Sequence, residues 1–87
     1  MALSFPNSSR SYDATRQAVR FWGYDRAMET SFFVMADALR RLSPSTLVDD
    51  ADLLRTFDLN RDLICTTAAR VFARGKKGSY DLVAADF

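Results

Sequence analysis

Two runs of eight residues, 17–24 and 28–35, carry large apolar side chains at both odd and even positions. Because successive residues of a strand point to opposite faces of its sheet, Phe21 lies on one face and Trp22 on the other. The second run repeats this pattern, with Phe32 on one face and Phe33 on the other. Both faces therefore need cover. One can be the domain's own core, and the second requires another layer, either from this chain or from a partner.

The residues between and before these runs predict a hairpin that follows an extended lead-in. The segment 23–27 has the length and composition of a loop joining antiparallel strands. Residues 1–16, punctuated by Pro6 and Asp13, read as an extended lead-in that ends in a turn, with room for a short strand near Ser11.

Helical spacing replaces strand spacing after Met35. Residues 36–42 predict a helix of about two turns that stops at Ser43-Pro44. Residues 49–74 form the longest periodic stretch, with acidic residues at the start and basic residues at the end, as a helix dipole favours. Gly75 follows this stretch as a natural C-cap, so its direction and both ends are marked.

The helix predicted over 49–74 contains an irregularity. Arg61 projects into its apolar stripe, and Leu59 and Leu63 fall on its charged side. An unbroken helix of this length would be roughly 39 Å long, whereas strands of six to eight residues span about 20 to 27 Å. We therefore expect the helix to overhang the sheet or to bend near 58–60, and the two leucines to mark either that bend or a second contact surface.

These elements predict one α+β domain over residues 1–87. Residues 79–87 read as a final strand that pairs with the hairpin, which gives the order β-β-α-α-β. The expected architecture is a small antiparallel sheet of about three strands, with one long and one short helix packed on one face. A length of 87 residues with 48% hydrophobic content supports a single core and argues against a disordered chain.

The composition removes most enzyme chemistry. The chain has no histidine, which is the commonest general base, a member of the usual catalytic triads and a frequent metal ligand. Its one cysteine, Cys65, falls at the edge of the core stripe and is expected to be a structural thiol. Asp49, Asp50 and Asp52 lack the spacing of a calcium loop and instead complement a helix N-terminus. We predict no catalytic residue, no metal and no cofactor.

Several features favour a cytoplasmic protein. The segment 1–6 lacks the basic and apolar regions of a secretory signal, and a single cysteine forms no intramolecular disulfide. The densest apolar run, 32–36, is far shorter than the ~20 residues of a membrane span, so no membrane contact is expected. The formal charge of +1 creates no overall field that would attract nucleic acid.

A set of short motifs resembles a known family. These motifs are Phe5-Pro6-Asn7, Ser11-Tyr12-Asp13, the run from Ala18 to Gly23, Ser31-Phe32-Phe33-Val34, Phe57-Asp58 with Asn60-Arg61, and the ending from Ser79-Tyr80 to Phe87. Over nearly its whole length the chain resembles domain of unknown function 1488 (DUF1488), a family of small bacterial proteins. The resemblance implies a compact α+β fold consistent with the order above, and it implies no activity and no site residues.

The second face of the hairpin is the main pointer to function. Trp22, Tyr24 and Phe33 form an aromatic group there, and aromatic residues are enriched at the centres of protein interfaces. The competing interpretation is that the lead-in partly roofs these residues as core. The leading hypothesis is a non-enzymatic interaction or assembly module that binds a protein partner or a second copy, with a dimer favoured.

A local basic group supports an alternative function. Arg70 and Arg74 precede Gly75-Lys76-Lys77-Gly78, and such a loop lets the backbone approach a phosphate chain. A KH-type loop, however, joins two helices, whereas a strand is predicted after Gly78. A solvated loop at a helix C-terminus is therefore the competing interpretation, and nucleic-acid binding by Arg70, Arg74, Lys76 and Lys77 is the alternative to protein binding.

Arg61 defines a third class, ranked below these two. An arginine on a core-facing stripe can pair with a buried carboxylate such as Asp13 or Asp86, or extend to the surface. It can also line a pocket for an anionic ligand, in which case the protein would be a small-ligand binder or an enzyme.

Overall fold

The computed structural model describes residues 3–6, 9–43, 49–74 and 79–87. Its elements in chain order are β1 (Leu3–Ser4), β2 (Arg10–Asp13), β3 (Ala18–Asp25), β4 (Met28–Met35), α1 (Ala36–Leu42), α2 (Asp50–Leu59), α3 (Arg61–Ala73) and β5 (Ser79–Leu82), followed by a 3₁₀ helix (Ala84–Asp86). The predicted α+β class is confirmed. The sheet has five strands in the described residues, more than the three or so expected.

The predicted hairpin forms the centre of the sheet. β3 and β4 pair antiparallel along their full length, from Ala18 opposite Met35 to Asp25 opposite Met28. β5 lies beside β4 and runs parallel to it. The expectation of a purely antiparallel sheet is therefore wrong, because the chain crosses over through the helices before it re-enters the sheet in the same direction.

The lead-in completes the opposite edge of the sheet. β1 and β2 pair antiparallel with successive parts of β3, with Ser4 opposite Tyr24 and Ser11 opposite Arg20. They satisfy backbone donors and acceptors that an open edge would leave exposed. The ring of Phe5 lies on the helix-facing side, 5.9 Å from the ring of Phe21. The described part of the lead-in thus extends the sheet, and Phe5 joins the core instead of roofing the second face.

The acidic start predicted for the long helix is the start of α2. Asp49 has extended backbone angles and its carboxylate accepts a hydrogen bond from the backbone N–H of Asp52 at 2.9 Å, which makes it an N-cap. Asp50 and Asp52 lie in the first helical turn, where their charge is stabilised by the helix dipole. The C-cap predicted at Gly75 lies outside the described residues.

The irregularity in the helical pattern is a break at Asn60. The Asn60 side-chain amide donates to the carbonyl of Thr56 at 2.9 Å, and the Asn60 carbonyl accepts the first hydrogen bond of α3, from Ile64. A straight helix of roughly 39 Å would exceed the longest dimension of the molecule, which is 36 Å. Of the two expected alternatives, overhang or bend, the structure shows the bend, and it keeps both helices over the sheet.

The core lies between the three helices and one face of the sheet. From the strands it contains Val19, Phe21, Phe32, Val34, Tyr80 and Leu82, and from the helices Ala36, Ala38, Leu39, Leu53, Phe57, Ile64, Ala68 and Phe72. Phe32 is at its centre, with ring centroids of Phe21 and Tyr80 each 5.3 Å away. Stacked and tilted rings at these separations add to the free energy gained by apolar burial.

Candidate functional site

The sheet face turned away from the helices combines arginine and aromatic side chains. We call it the arginine–aromatic face. It comprises Arg16 from the turn before β3, Arg20, Trp22 and Tyr24 of β3, Glu29, Ser31, Phe33 and Met35 of β4, and Asp81 of β5. The pairing of β3 and β4 fixes its spacing, because side chains two residues apart on a strand share a face.

Phe33, predicted as an interface residue, lies beneath two guanidinium groups. The Arg16 Cζ atom is 4.2 Å from the centroid of the Phe33 ring, and the Arg20 Cζ atom is 5.7 Å from it. These distances are those of cation–π contacts. Phe33 is only 6% exposed as a result. A partner on this face would contact the arginines first and the Phe33 ring only at its rim.

Arg20 is held between Trp22 and Ser31. Its Cζ atom is 5.0 Å from the Trp22 ring centroid, and its Nη2 donates to the Ser31 hydroxyl at 3.0 Å. Its Nε is buried and has no hydrogen-bond acceptor within the described residues. Arg16 instead forms an ion pair of 3.4 Å with Asp81. Arg20 is therefore fixed in position by contacts that include no carboxylate within the described part of the chain.

The other two predicted interface residues are half-buried and lie further along β3 than Arg20. Trp22 lies midway along β3, and Tyr24 follows it two residues later. The Tyr24 hydroxyl donates to a carboxylate oxygen of Glu29 at 2.7 Å. The face is thus basic at the level of Arg20, aromatic at Trp22 and acidic at Glu29.

Sequence reasoning missed the two arginines. Arg20 carried a usable signal, because strand alternation places it on the same face as Trp22 and opposite to Val19 and Phe21. Arg16 carried none. It lies in a turn whose last residue, Gln17, has a φ of 52°, and only that backbone geometry brings its side chain over Phe33.

The basic group predicted to bind nucleic acid is only partly described. Arg70 donates from Nη2 to the backbone carbonyl of Asp86 at 2.5 Å, which ties α3 to the chain end. Arg74 is exposed at the end of α3. Lys76 and Lys77 lie outside the described residues, so their contribution stays a prediction. Of the two described residues of this group, Arg70 thus uses its charge in an internal hydrogen bond.

Arg61 lies at the helix break, beside Asp58. Its Nη2 is 3.7 Å from Asp58 Oδ1, and its Cζ atom is 4.8 Å from the centroid of the Phe57 ring. Residues 58–63 line an open depression of about 420 Å³ there. Leu59 is 79% exposed and forms part of the rim. The depression is a shallow surface feature next to an ion pair, which favours the structural interpretation of Arg61.

Cys65 has the environment of a structural thiol. Its side chain is half-buried at the edge of the core, and this burial raises the pKa of the thiol. A raised pKa lowers the thiolate fraction at neutral pH, and the thiolate is the reactive form. Among the described residues, no group of three or more cysteine, aspartate or glutamate side chains has the arrangement of a metal site.

Asp58 joins the edge strand β2 to the end of α2. Arg10 donates from Nε to one carboxylate oxygen at 2.9 Å and from Nη2 to the other at 2.8 Å. The hydrogen bond from Arg10 holds the pKa of Asp58 below its ordinary value. Sequence reasoning did not anticipate this pair, because the two residues are 48 positions apart.

We expect the contribution of this pair to the free energy of unfolding to depend on pH. Since the pKa of Asp58 is lower in the folded state, the contribution is present above the unfolded pKa of about 3.9 and is lost as pH falls through the folded pKa. The Asp58 side chain is 44% exposed, so Asp58→Asn should cost about 1 kcal/mol or less at pH 7.

Urea unfolding of wild type and Asp58→Asn between pH 7 and acid pH measures this difference. The control is Arg10→Gln, in which Asp58→Asn should have a smaller effect at pH 7 because the bidentate partner is gone. An Asp58→Asn effect that grows as the pH falls would contradict the assignment.

The sequence profile of the DUF1488 family, described as a protein of unknown function, matches residues 3–83. The chain belongs to the DUF1488 family. A crystal structure of a family member of unknown function from Shewanella loihica PV-4, at 1.60 Å resolution, superposes with a TM-score of 0.81. The two proteins are 16% identical, and the similarity covers 92% of this chain and 90% of that one.

This similarity concerns the fold. The family resemblance predicted from the motifs is confirmed, as is the α+β architecture that it implied. No curated protein matches the chain. Within the described residues of this DUF1488 protein, no helix has the length and apolar character needed to span a membrane.

Proposed function

We propose that this DUF1488 protein is a non-enzymatic interaction module that binds a protein partner through its arginine–aromatic face. The observation that carries the proposal is the asymmetry of the sheet. The buried apolar residues of all three helices join the core on one side. On the other side Trp22, Tyr24 and Met35 remain half-exposed.

The chemistry of this face suits a protein partner. Tryptophan, tyrosine and arginine are the residue types that dominate binding energy at protein interfaces. Arg16 and Arg20 are already stacked on aromatic rings, so less conformational entropy is lost when a partner orders them. Glu29 and Asp81 lie on the same face, and this mixture of charges favours a protein over a uniformly anionic nucleic acid.

A photocrosslinking experiment tests the proposal. p-Benzoylphenylalanine placed at Tyr24 should form a discrete covalent adduct with protein when native host cells are irradiated, and adding Trp22→Ala should weaken it. The matched control is the same amino acid at Leu59, which is more exposed but lies at the helix break. We expect no discrete adduct from Leu59.

Three results would count against the proposal. The first is the absence of a protein adduct from the Tyr24 position, and the second is an equal yield from Leu59. The third is an adduct that contains nucleic acid alone, which would favour the alternative function.

A further inference from the structure

Two opposite charges on the arginine–aromatic face lack a counter-charge within the described part of the chain. Arg20 is half-buried, forms no ion pair there, and has a buried Nε with no acceptor. Glu29 accepts a hydrogen bond from Tyr24 and likewise forms no ion pair among these residues. A half-buried guanidinium group is costly unless an anion compensates its charge.

The strand register places these charges symmetrically about Trp22. Arg20 pairs with Phe33, Trp22 pairs with Ser31, and Tyr24 pairs with Glu29. Each charged level is therefore two residues from the Trp22 level, or about 7 Å along the strand. The charges of one chain are about 14 Å apart along the strands, which is too far for an ion pair.

We propose that the partner is a second copy of this chain, bound face to face about a two-fold axis that crosses the strands at Trp22 and Ser31. This inference rests on the proposed function. Rotation about such an axis reverses the strand direction and keeps equivalent strands opposite each other. It brings Glu29 of each copy to the level of Arg20 of the other, and it places the two Trp22 side chains together at the centre.

The charge pattern of the face is complementary to itself, and this favours a second copy of the chain as the partner. A two-fold interface requires each patch to match itself, and here one rotation supplies both missing counter-charges. Eight-residue strands give the face a length of about 27 Å, and four strand positions give a width of about 14 Å. Two such faces bury roughly 760 Å² in projection, below the ~1,200 Å² of standard-sized interfaces, so we expect a weak dimer that dissociates on dilution.

Charge reversal tests the arrangement in the purified protein by sedimentation velocity over a concentration series. Glu29→Arg and Arg20→Glu should each weaken self-association at least tenfold, because like charges then meet across the axis. The double variant Arg20→Glu/Glu29→Arg should restore the dimer. An equimolar mixture of the two single variants should also form dimers, since one chain then carries two positive charges and the other two negative ones.

The controls separate binding from folding. Asp62→Arg makes the same change in charge as Glu29→Arg, but at an exposed acidic residue of α3. It should leave the dimer intact. If circular dichroism shows that Arg20→Glu is unfolded, the exposed position Glu29 still provides the test. Trp22 is the single tryptophan, so its emission should shift to shorter wavelength with concentration in wild type and not in Glu29→Arg.

The outcomes distinguish this inference from the proposed function. A wild-type dimer unaffected by Glu29→Arg overturns the two-fold arrangement. A wild type that remains monomeric, with a Tyr24 photoadduct to a different protein, overturns the second copy and leaves the interaction module standing. A monomer without any Tyr24 protein adduct overturns both.

Discussion

Phe32→Ala is expected to lower the free energy of unfolding by about 3–5 kcal/mol. Phe32 is fully buried, and its ring lies 5.3 Å from both Phe21 and Tyr80 and 5.9 Å from Phe5. Truncation removes the apolar burial and leaves a cavity bounded by rigid rings that cannot collapse into it. Urea unfolding followed by circular dichroism measures the change against wild type.

Phe33→Ala is the matched control, one residue along the same strand. Phe33 is 6% exposed, yet the cover above its ring comes from Arg16 and Arg20, whose long side chains can settle into the vacated space. We expect a loss of about 1.5–3 kcal/mol, the value for burying such a side chain without a persistent cavity. Equal losses for the two variants would show that the second face is as tightly packed as the core.

Gly23→Ala is expected to destabilise the fold by about 1–3 kcal/mol, the usual range for overpacking a core. A Cβ atom at this position would lie 2.8 Å from Phe5 Cε1, 3.1 Å from Phe32 Cε2 and 3.2 Å from Leu3 Cδ1. The space over Gly23 is therefore filled by side chains from β1, the segment after it and β4. Thermal unfolding and urea titration both report the loss.

A double-mutant cycle identifies the cause. Phe5→Ala removes the atom closest to the added methyl group, so Gly23→Ala should cost less in that background than in wild type. The same penalty in both backgrounds would mean that Phe5 is not the limiting contact. In that case the strain would lie against Phe32, whose stacked position gives it little freedom to move.

The individual strands and helices could be predicted from the sequence because short-range periodicity of apolar residues determines them. Alternation over 28–35 predicted β4 with its observed bounds, and the spacing of Leu39 and Leu42 predicted α1. The misplaced Arg61, Leu59 and Leu63 indicated the break that the structure places at Asn60. In each case the signal lies within a few residues of the feature, where spacing alone determines which face a side chain occupies.

Which distant segments contact each other could not be predicted from short-range periodicity. The parallel placement of β5 and the pairing of β1 and β2 with one edge of β3 depend on the path of the whole chain. The bidentate contact of Arg10 with Asp58 joins two segments that carry no mutual signal in sequence. Such pairings require chain closure over long loops, and a single sequence contains no record of which segments meet.

The sequence by itself determined that the hairpin has two apolar faces, because strand alternation needs no tertiary context. Only the tertiary structure decided how each face is covered. The helices pack on the Phe32 side, and the edge strands take up the lead-in. On the Phe33 side the cover is two guanidinium groups, one of them from a turn. The physical reason is that cation–π contacts, and the arrangement of charges across the sheet, depend on where whole segments lie in space. The face to which a strand residue points depends only on whether its position along the strand is odd or even.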